Sequence, residues 1–325
     1  MIRTESLTRT FTTGKQSVEA VRGIDLTVDR GELVAVLGPN GAGKSTTLRM
    51  LTTLLTPSSG RAQVCGVDVV ADPPGVRSRI GYVGQKDGAG HNYRVLDELL
   101  MQARFYGLDR ATARSRAGEL LSTLDLDGMQ MRKVSTMSGG QRRRLDIALG
   151  LVHGPQLLFL DEPTTGMDPQ SRANLWDHIT RLRRDNGTTI VLTTHYLEEA
   201  DSMAERVVVI DHGSVIADDS PAALKDRLAG DRITLVVESA AAQQVRAAVE
   251  RIGTELQESD VTLDGGAPGR RISMRVSAGD RLLPDLLGRL AAAGVAVRSA
   301  TLKQPTLDDV FLTLTGRSLR EGADA

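Results

Sequence analysis

Gly38-Pro39-Asn40-Gly41-Ala42-Gly43-Lys44-Ser45 constrains this chain more than any other stretch. It fills the pattern G-x-x-x-x-G-K-[ST]. Before it, residues 33–37 form an apolar run of strand length, and after it residues 46–51 read as the opening of a helix. In that strand-loop-helix setting, glycines let the backbone curl round a polyphosphate, with successive N–H groups and a helix start facing negative charge. Lys44 would then neutralise the β- and γ-phosphates, and the Ser45 hydroxyl would ligate Mg²⁺. The loop says nucleotide, and by itself it does not say which machine.

The chain has 325 residues, a formal net charge of -1 and 25% charged residues. That length suggests two domains, and the near-neutral balance gives no electrostatic footprint for nucleic acid. A single cysteine, Cys65, excludes an intrachain disulfide and any Cys-based zinc site. Within Ala62-Gln63-Val64-Cys65-Gly66 it reads as a buried strand residue. The N-terminus has no apolar h-region, and nowhere do about 18 apolar residues run together. The expectation is a soluble, cytoplasmic chain that borrows another to cross a membrane.

Residues 1–30 alternate as strands around a turn at 12–15. Phe11 and Val18 flank that turn, where a ring could stack on an adenine with Val18 beside it. An ordinary core Phe reads equally well. Residues 61–70 resemble a short hairpin, and Ile80-Gly81-Tyr82-Val83-Gly84-Gln85 is a strand ending in a glutamine. A polar amide there sits where α/β sheets place ligand contacts. From Val95 to about Leu126 the apolar spacing turns helical, first through Leu96, Leu99, Leu100, Ala103 and Phe105, then through Ala113, Ala117, Leu120, Leu121 and Leu124.

Met137-Ser138-Gly139-Gly140-Gln141 then opens an apolar helix. Ser is a good N-cap and first-turn N–H groups are free, so this is a second anion-ready helix start. Gln156-Leu157-Leu158-Phe159-Leu160-Asp161-Glu162 is a buried strand ending in two carboxylates. Asp161 has the place of a Walker B aspartate that holds Mg²⁺, and Glu162 that of a base polarising an attacking water. A turn at 164–169 leads into a helix over 172–184, and the strand 188–194 is capped by His195. A strand-end histidine can donate to a γ-phosphate. His91, His153, His178 and His212 show no metal-ligand spacing.

Taken together, residues 1 to about 225 resemble the ATP-binding subunit of an ABC transporter. On that resemblance Gly38 to Ser45, with Thr46 following, is Walker A and Gln85 the Q-loop glutamine, which also faces Mg²⁺. Ser138, Gly139, Gly140 and Gln141 are the signature, Asp161 and Glu162 Walker B and its catalytic glutamate, Asp168 the D-loop aspartate, His195 the switch histidine, and Phe11 the A-loop aromatic. Met137 stands where Leu is usual, a nearly volume-conserving change, and Phe11 where Tyr is commonest. The resemblance implies two copies facing head to tail, each ATP lying between Walker A of one and the signature of the other. It also implies an α/β P-loop core over 1–228, with a helical subdomain at about 86–153.

Strand, helix, two strands, helix and strand follow from Ile233 to Leu302, a βαββαβ order that suggests a small α+β ferredoxin-like domain over 229–316. A turn at 265–269 joins its middle strands, and 317–325 reads as a frayed tail. The segment 304–316 resembles the end of daunorubicin-resistance-type exporter ATPases, whose partner is a separate permease of the ABC-2 type. It reads equally as an amphipathic terminal helix. The loop after Gln85, residues 86–106, would receive the permease, with Tyr93, Phe105 and Tyr106 as aromatic anchors, although Phe105 also fits a core stripe. An importer ATPase is the nearest rival. An ABC protein of DNA or ribosomes would need a long heptad insertion or a second cassette, and neither is present.

Overall fold

The computed structural model describes residues 1–14, 16–250, 254–262 and 268–316. The chain divides into two compact units, with the break between Pro221 and Ala222.

In the first unit, β1 (Ile2–Thr13) and β2 (Gln16–Val28) form a long antiparallel hairpin, and β3 (Leu33–Leu37) leads into α1 (Lys44–Leu51). There follow β4 (Ser59–Val64), β5 (Val67–Asp68), α2 (Pro73–Arg77), β6 (Ile80–Val83), α3 (Val95–Phe105) and α4 (Arg110–Thr123). Then come α5 (Gly139–Leu151), β7 (Leu157–Asp161), α6 (Pro169–Asn186), β8 (Thr189–Thr194), α7 (Leu197–Met203), β9 (Arg206–Asp211) and β10 (Ser214–Asp219). Two sheets result, one in the order β2-β1-β4-β5 and one in the order β10-β9-β3-β8-β7-β6.

The five strands from β9 to β6 run parallel. Every residue of β3, β7 and β8 is buried, so apolar runs rather than alternation mark them in sequence. Ile2, Leu7 and Ile24 of the antiparallel sheet share one core with Val36, Phe159 and Val208 of the parallel sheet and Leu48 of α1. The parallel arrangement brings the carboxyl ends of β3, β6, β7 and β8 to one edge, where open α/β sheets bind ligands. Close approach of α5 to β6 depends on glycine: a Cβ on Gly81 would collide with the Gly150 carbonyl.

In the second unit, α8 (Pro221–Leu224) runs into a π turn over Lys225–Ala229. The elements β11 (Asp231–Glu238), α9 (Ala242–Val249), β12 (Thr254–Thr262), β13 (Pro268–Val276), α10 (Gly279–Ala292) and β14 (Val297–Lys303) follow in βαββαβ order. Their antiparallel sheet has the order β12-β13-β11-β14. Ile233, Leu235 and Val237 of β11 pack on Val245 and Val249 of α9 and Leu286 and Leu290 of α10. The terminal α11 (Leu307–Thr315) buries Leu307, Val310 and Phe311 and lies against the π turn. The expected turn at 265–269 and tail at 317–325 fall wholly or partly outside the described residues.

Three expectations are corrected. Cys65 is only half-buried and lies in the turn between β4 and β5 with φ 50°, not inside a strand. Phe11 is exposed at the hairpin tip, which removes the core reading. Phe105 is 80% exposed at the end of α3, because the apolar stripe closes on Leu99 and Ala103 and leaves that ring outside it.

Candidate functional site

The loop between β3 and α1 is set by its glycines. Gly38 has φ 154°, and a Cβ there would strike the Ile210 carbonyl, so β9 lies too close for any side chain. Gly43 precedes α1 in the left-handed region and offers no side-chain cap. The N–H groups that begin α1 at Lys44, Ser45 and Thr46 are thus left for a ligand. Pro39, Asn40, Gly41 and Ala42 make the turn, with the Ala42 N–H donating to the Pro39 carbonyl at 3.1 Å.

Lys44 is 5% exposed, and its Nζ donates to the carbonyls of Gly38 at 2.7 Å and Pro39 at 3.1 Å. Burial pulls this ammonium below the ordinary lysine range, while the Glu162 and Asp161 carboxylates pull it back up. A cation desolvated beside an anion-ready helix start is poised for negative charge.

Opposite it, Asp161 ends β7 fully buried. Its Oδ1 accepts from Ser45 Oγ at 2.9 Å and from Thr193 Oγ1 at 2.7 Å, while Oδ2 has no hydrogen-bond partner. A buried carboxylate oxygen without a donor beside a hydroxyl is a donor set suited to a hard divalent cation. Thr193 comes from β8, directly across the register from Asp161. Tyr82 of β6 approaches the same carboxylate: burial first, then the Asp161 charge, push its phenol up, with Arg49 opposing.

Glu162 has φ 47°, an unfavourable region for its side chain and one that clusters at functional sites. Its N–H is shared between the Thr193 carbonyl at 3.2 Å and Thr193 Oγ1 at 3.0 Å, which holds that geometry. The carboxylate accepts from Thr165 Oγ1 at 3.2 Å and stands 3.4 Å from His195 Nδ1. At that separation His195 Nδ1 makes no hydrogen bond. His195 leans on Tyr196, and the Arg172 guanidinium covers the Tyr196 ring at 4.2 Å.

Lys44, Ser45, Asp161, Glu162 and His195 therefore meet at one sheet edge. Among the described residues, no hydrogen bond or ion pair joins the expected site residues outside the P-loop to this cluster. Gln85, two residues past β6, has an exposed side chain with no hydrogen bond to Asp161 or Ser45 among the described residues. Ser138 caps α5 in a closed box, its Oγ accepting from the Gln141 N–H at 3.3 Å and its N–H donating to Gln141 Oε1 at 3.0 Å. Ser138 and Gly139 are exposed, and Gly140 packs near Ser171 and Met167. Asp168 is an exposed N-cap of α6, accepting from the Ser171 N–H at 2.9 Å. Phe11 faces Val18 across the hairpin, and the Arg9 guanidinium covers one face of its ring at 4.7 Å.

Sequence reasoning missed four members of the surroundings: Thr193, Tyr82, Glu199 and Arg143. Glu199, 5% exposed, accepts from Thr164 Oγ1 at 2.9 Å and Thr194 Oγ1 at 3.1 Å, joining the turn after Glu162 to the end of β8. The signal for Thr193 was a hydroxyl residue inside an apolar strand; the others had no local signal.

The family model described as "ABC transporter" matches residues 21–165. The daunorubicin/doxorubicin resistance ATP-binding protein DrrA of Streptomyces peucetius is 43% identical, over 99% of this chain and 96% of its own length. The linearmycin resistance ATP-binding protein LnrL of Bacillus subtilis is 32% identical, over 99% of this chain and all of its own length, 100%. A dimeric ATP-binding cassette solved in a post-hydrolysis state with ADP and Pi superposes with a TM-score of 0.63 at 25% identity, covering 68% of this chain and 98% of the other. The chain belongs to the ABC transporter family, as an ATPase subunit of the daunorubicin/doxorubicin-resistance type.

Proposed function

We propose that the chain energises export of a hydrophobic drug or lipid through a separate ABC-2-type permease, by binding and hydrolysing ATP between two copies of itself. The observation that carries the hydrolytic half is the meeting of Lys44, the Ser45–Asp161 pair and the Glu162–His195 pair at one sheet edge. Lys44 and the free N–H groups of α1 bind the phosphates, and Phe11 with Val18 receives the adenine. Ser45, Asp161 and Gln85 would hold Mg²⁺, which supplies charge neutralisation to the phosphates when bound. Glu162 Oε2 takes a proton from the attacking water, and His195 keeps that carboxylate and the γ-phosphate in line.

Ser138, Gly139, Gly140, Gln141 and Asp168 serve the partner's nucleotide rather than the chain's own. This reading is supported by the exposure of Ser138, Gly139 and Asp168 and by the lack, among the described residues, of any hydrogen bond from these five to Lys44, Ser45 or Asp161. Solved cassettes of the same fold include dimers, which supports a shared site. No helix among the described residues is long and apolar enough to cross a membrane, so passage belongs to another chain. The chain then acts on the inner membrane face, where the exposed rings of Tyr93, Phe105 and Tyr106 are anchors for the permease. The ATP-binding part, expected over 1–228, corresponds to the compact unit that ends at Pro221, and the accessory domain, expected over 229–316, to the unit that begins at Ala222 and so also takes in the π turn. Nucleic acid is not a partner.

The experiment has two arms. Purified wild-type chain releases phosphate from ATP with Mg²⁺ and Glu162→Gln does not; equal release would remove the base. Cells making the chain with its permease accumulate less of a fluorescent anthracycline than cells carrying Glu162→Gln, and equal accumulation would remove the exporter reading.

A further inference from the structure

One side chain outside the nucleotide cluster joins two backbone segments next to it. Arg143 lies on α5, five residues beyond Ser138, and is 8% exposed. Its Nε donates to the Pro163 carbonyl at 2.8 Å, Nη1 to the Gly84 carbonyl at 2.6 Å and Nη2 to the Asp161 carbonyl at 3.2 Å. Pro163 and Asp161 are the two neighbours of Glu162, and Gly84 precedes Gln85. One guanidinium thus grips the backbone on both sides of the strained Glu162 and at the root of the Gln85 loop.

The same helix holds the rest of that loop. Asp146, 4% exposed, accepts from the N–H groups of Gly88 at 3.0 Å and Ala89 at 3.1 Å. Arg142 pairs with Asp87 at 3.2 Å. Residues 84–89 and α5 are accordingly one tied body, and Arg143 extends the tie to the end of β7. A guanidinium spreads its donors over three nitrogens and here gives one to each of three carbonyls from two segments; a lysine's three donors share a single nitrogen and cannot span the same spread.

We propose that Arg143 is a positioning residue, tying the signature helix and the Gln85 loop to the backbone on both sides of Glu162. The seating of that carboxylate then follows the helix that begins at Ser138. If Ser138 meets the partner's nucleotide, as in the function proposed above, one chain reports occupancy of the partner's site to its own base through Arg143. The inference rests on Glu162 being the base, and the controls separate the two.

The test uses the purified full chain as wild type, Arg143→Met, Arg143→Lys and Glu162→Gln. A fluorescent ATP analogue gives affinity and the number of occupied sites, and phosphate release is expressed per occupied site. Displacing a catalytic group by about an ångström costs on the order of 100-fold, so Arg143→Met loses about that much turnover while affinity stays within about twofold. Arg143→Lys falls between. Amide exchange reads the tie directly: residues 84–89 and 162–165 exchange faster in both variants, and residues 44–51 do not.

Wild-type turnover per occupied site in Arg143→Lys, or unchanged exchange at 162–165, would overturn the proposal, as would affinity and turnover falling in parallel. If Arg143→Met does not fold, Arg143→Lys decides alone. Failure of the catalytic reading looks different, since Glu162→Gln would then keep its turnover.

Discussion

Two helix starts in this chain look alike in sequence and are opposites in structure. The start of α1 has an uncapped glycine, a lysine buried beside it and the Ser45–Asp161 pair behind it. The start of α5 is exposed, and Ser138 and Gln141 already satisfy each other in a capping box. The first has unpaired donors and a desolvated cation, so it can hold a polyphosphate by itself. The second presents a finished turn to solvent and can only add contacts to a ligand held elsewhere. A chain with one holding site and one presenting site is suited to pairing with another copy, each completing the other.

Lys44→Ala strikes the holding side. With the loop's cation gone, ATP affinity falls by roughly 100-fold, as loss of charge-assisted hydrogen bonds at a buried site implies. Titration with a fluorescent ATP analogue checks this, and unchanged affinity would erase the distinction between the two starts. Ser138→Glu strikes the presenting side. A negative charge facing the partner's phosphates lowers turnover by at least about tenfold, while affinity in the isolated chain stays put. A parallel loss of affinity would place Ser138 in the chain's own holding site. Phe11→Ala sharpens the holding side further, weakening ATP binding by about 2- to 10-fold and GTP binding less, since an aromatic stack is worth about 0.5–1.5 kcal/mol. Equal loss for both nucleotides would mean that the exposed ring does not read the base.

The smallest effect concerns the frame beneath both starts. His153 stacks on Tyr106 with ring centroids 3.7 Å apart and reaches the Ile80 carbonyl at 2.9 Å. Burial lowers its pKa, the Ile80 bond opposing. The folded chain therefore resists a proton that the unfolded chain accepts near pH 6.5. Stability drops as pH falls through that value and levels off below the folded-state pKa. His153→Phe keeps the stack, so its melting temperature falls by about 1–2 °C less than wild type between pH 7.5 and 5.5. Identical slopes would remove His153 from the acid response.

Much of the holding site was legible because its elements are local. A P-loop, a buried strand ending in Asp161-Glu162 and a strand ending in His195 each announce themselves within a few residues, and the βαββαβ order of the tail rests on the same kind of periodicity. What was not legible came from register and burial. Thr193 matters because β8 sets it opposite Asp161, and nothing in a run of threonines tells which hydroxyl will face the carboxylate. Arg143 sits between two other arginines, and only the fold singles out the middle one as buried. The strands β9 and β10 and helix α7 lie between 196 and 232, a stretch to which the sequence reading assigned nothing. Yet the Ile210 carbonyl at the end of β9 is what forces glycine at position 38.

The measurement that tests the shared site most directly is the solution mass of Glu162→Gln with and without ATP and Mg²⁺. Removing the base while keeping the phosphate contacts traps the closed pair, so the account predicts a monomer without nucleotide and a dimer with it. A chain that binds ATP at its P-loop and stays monomeric would contradict it.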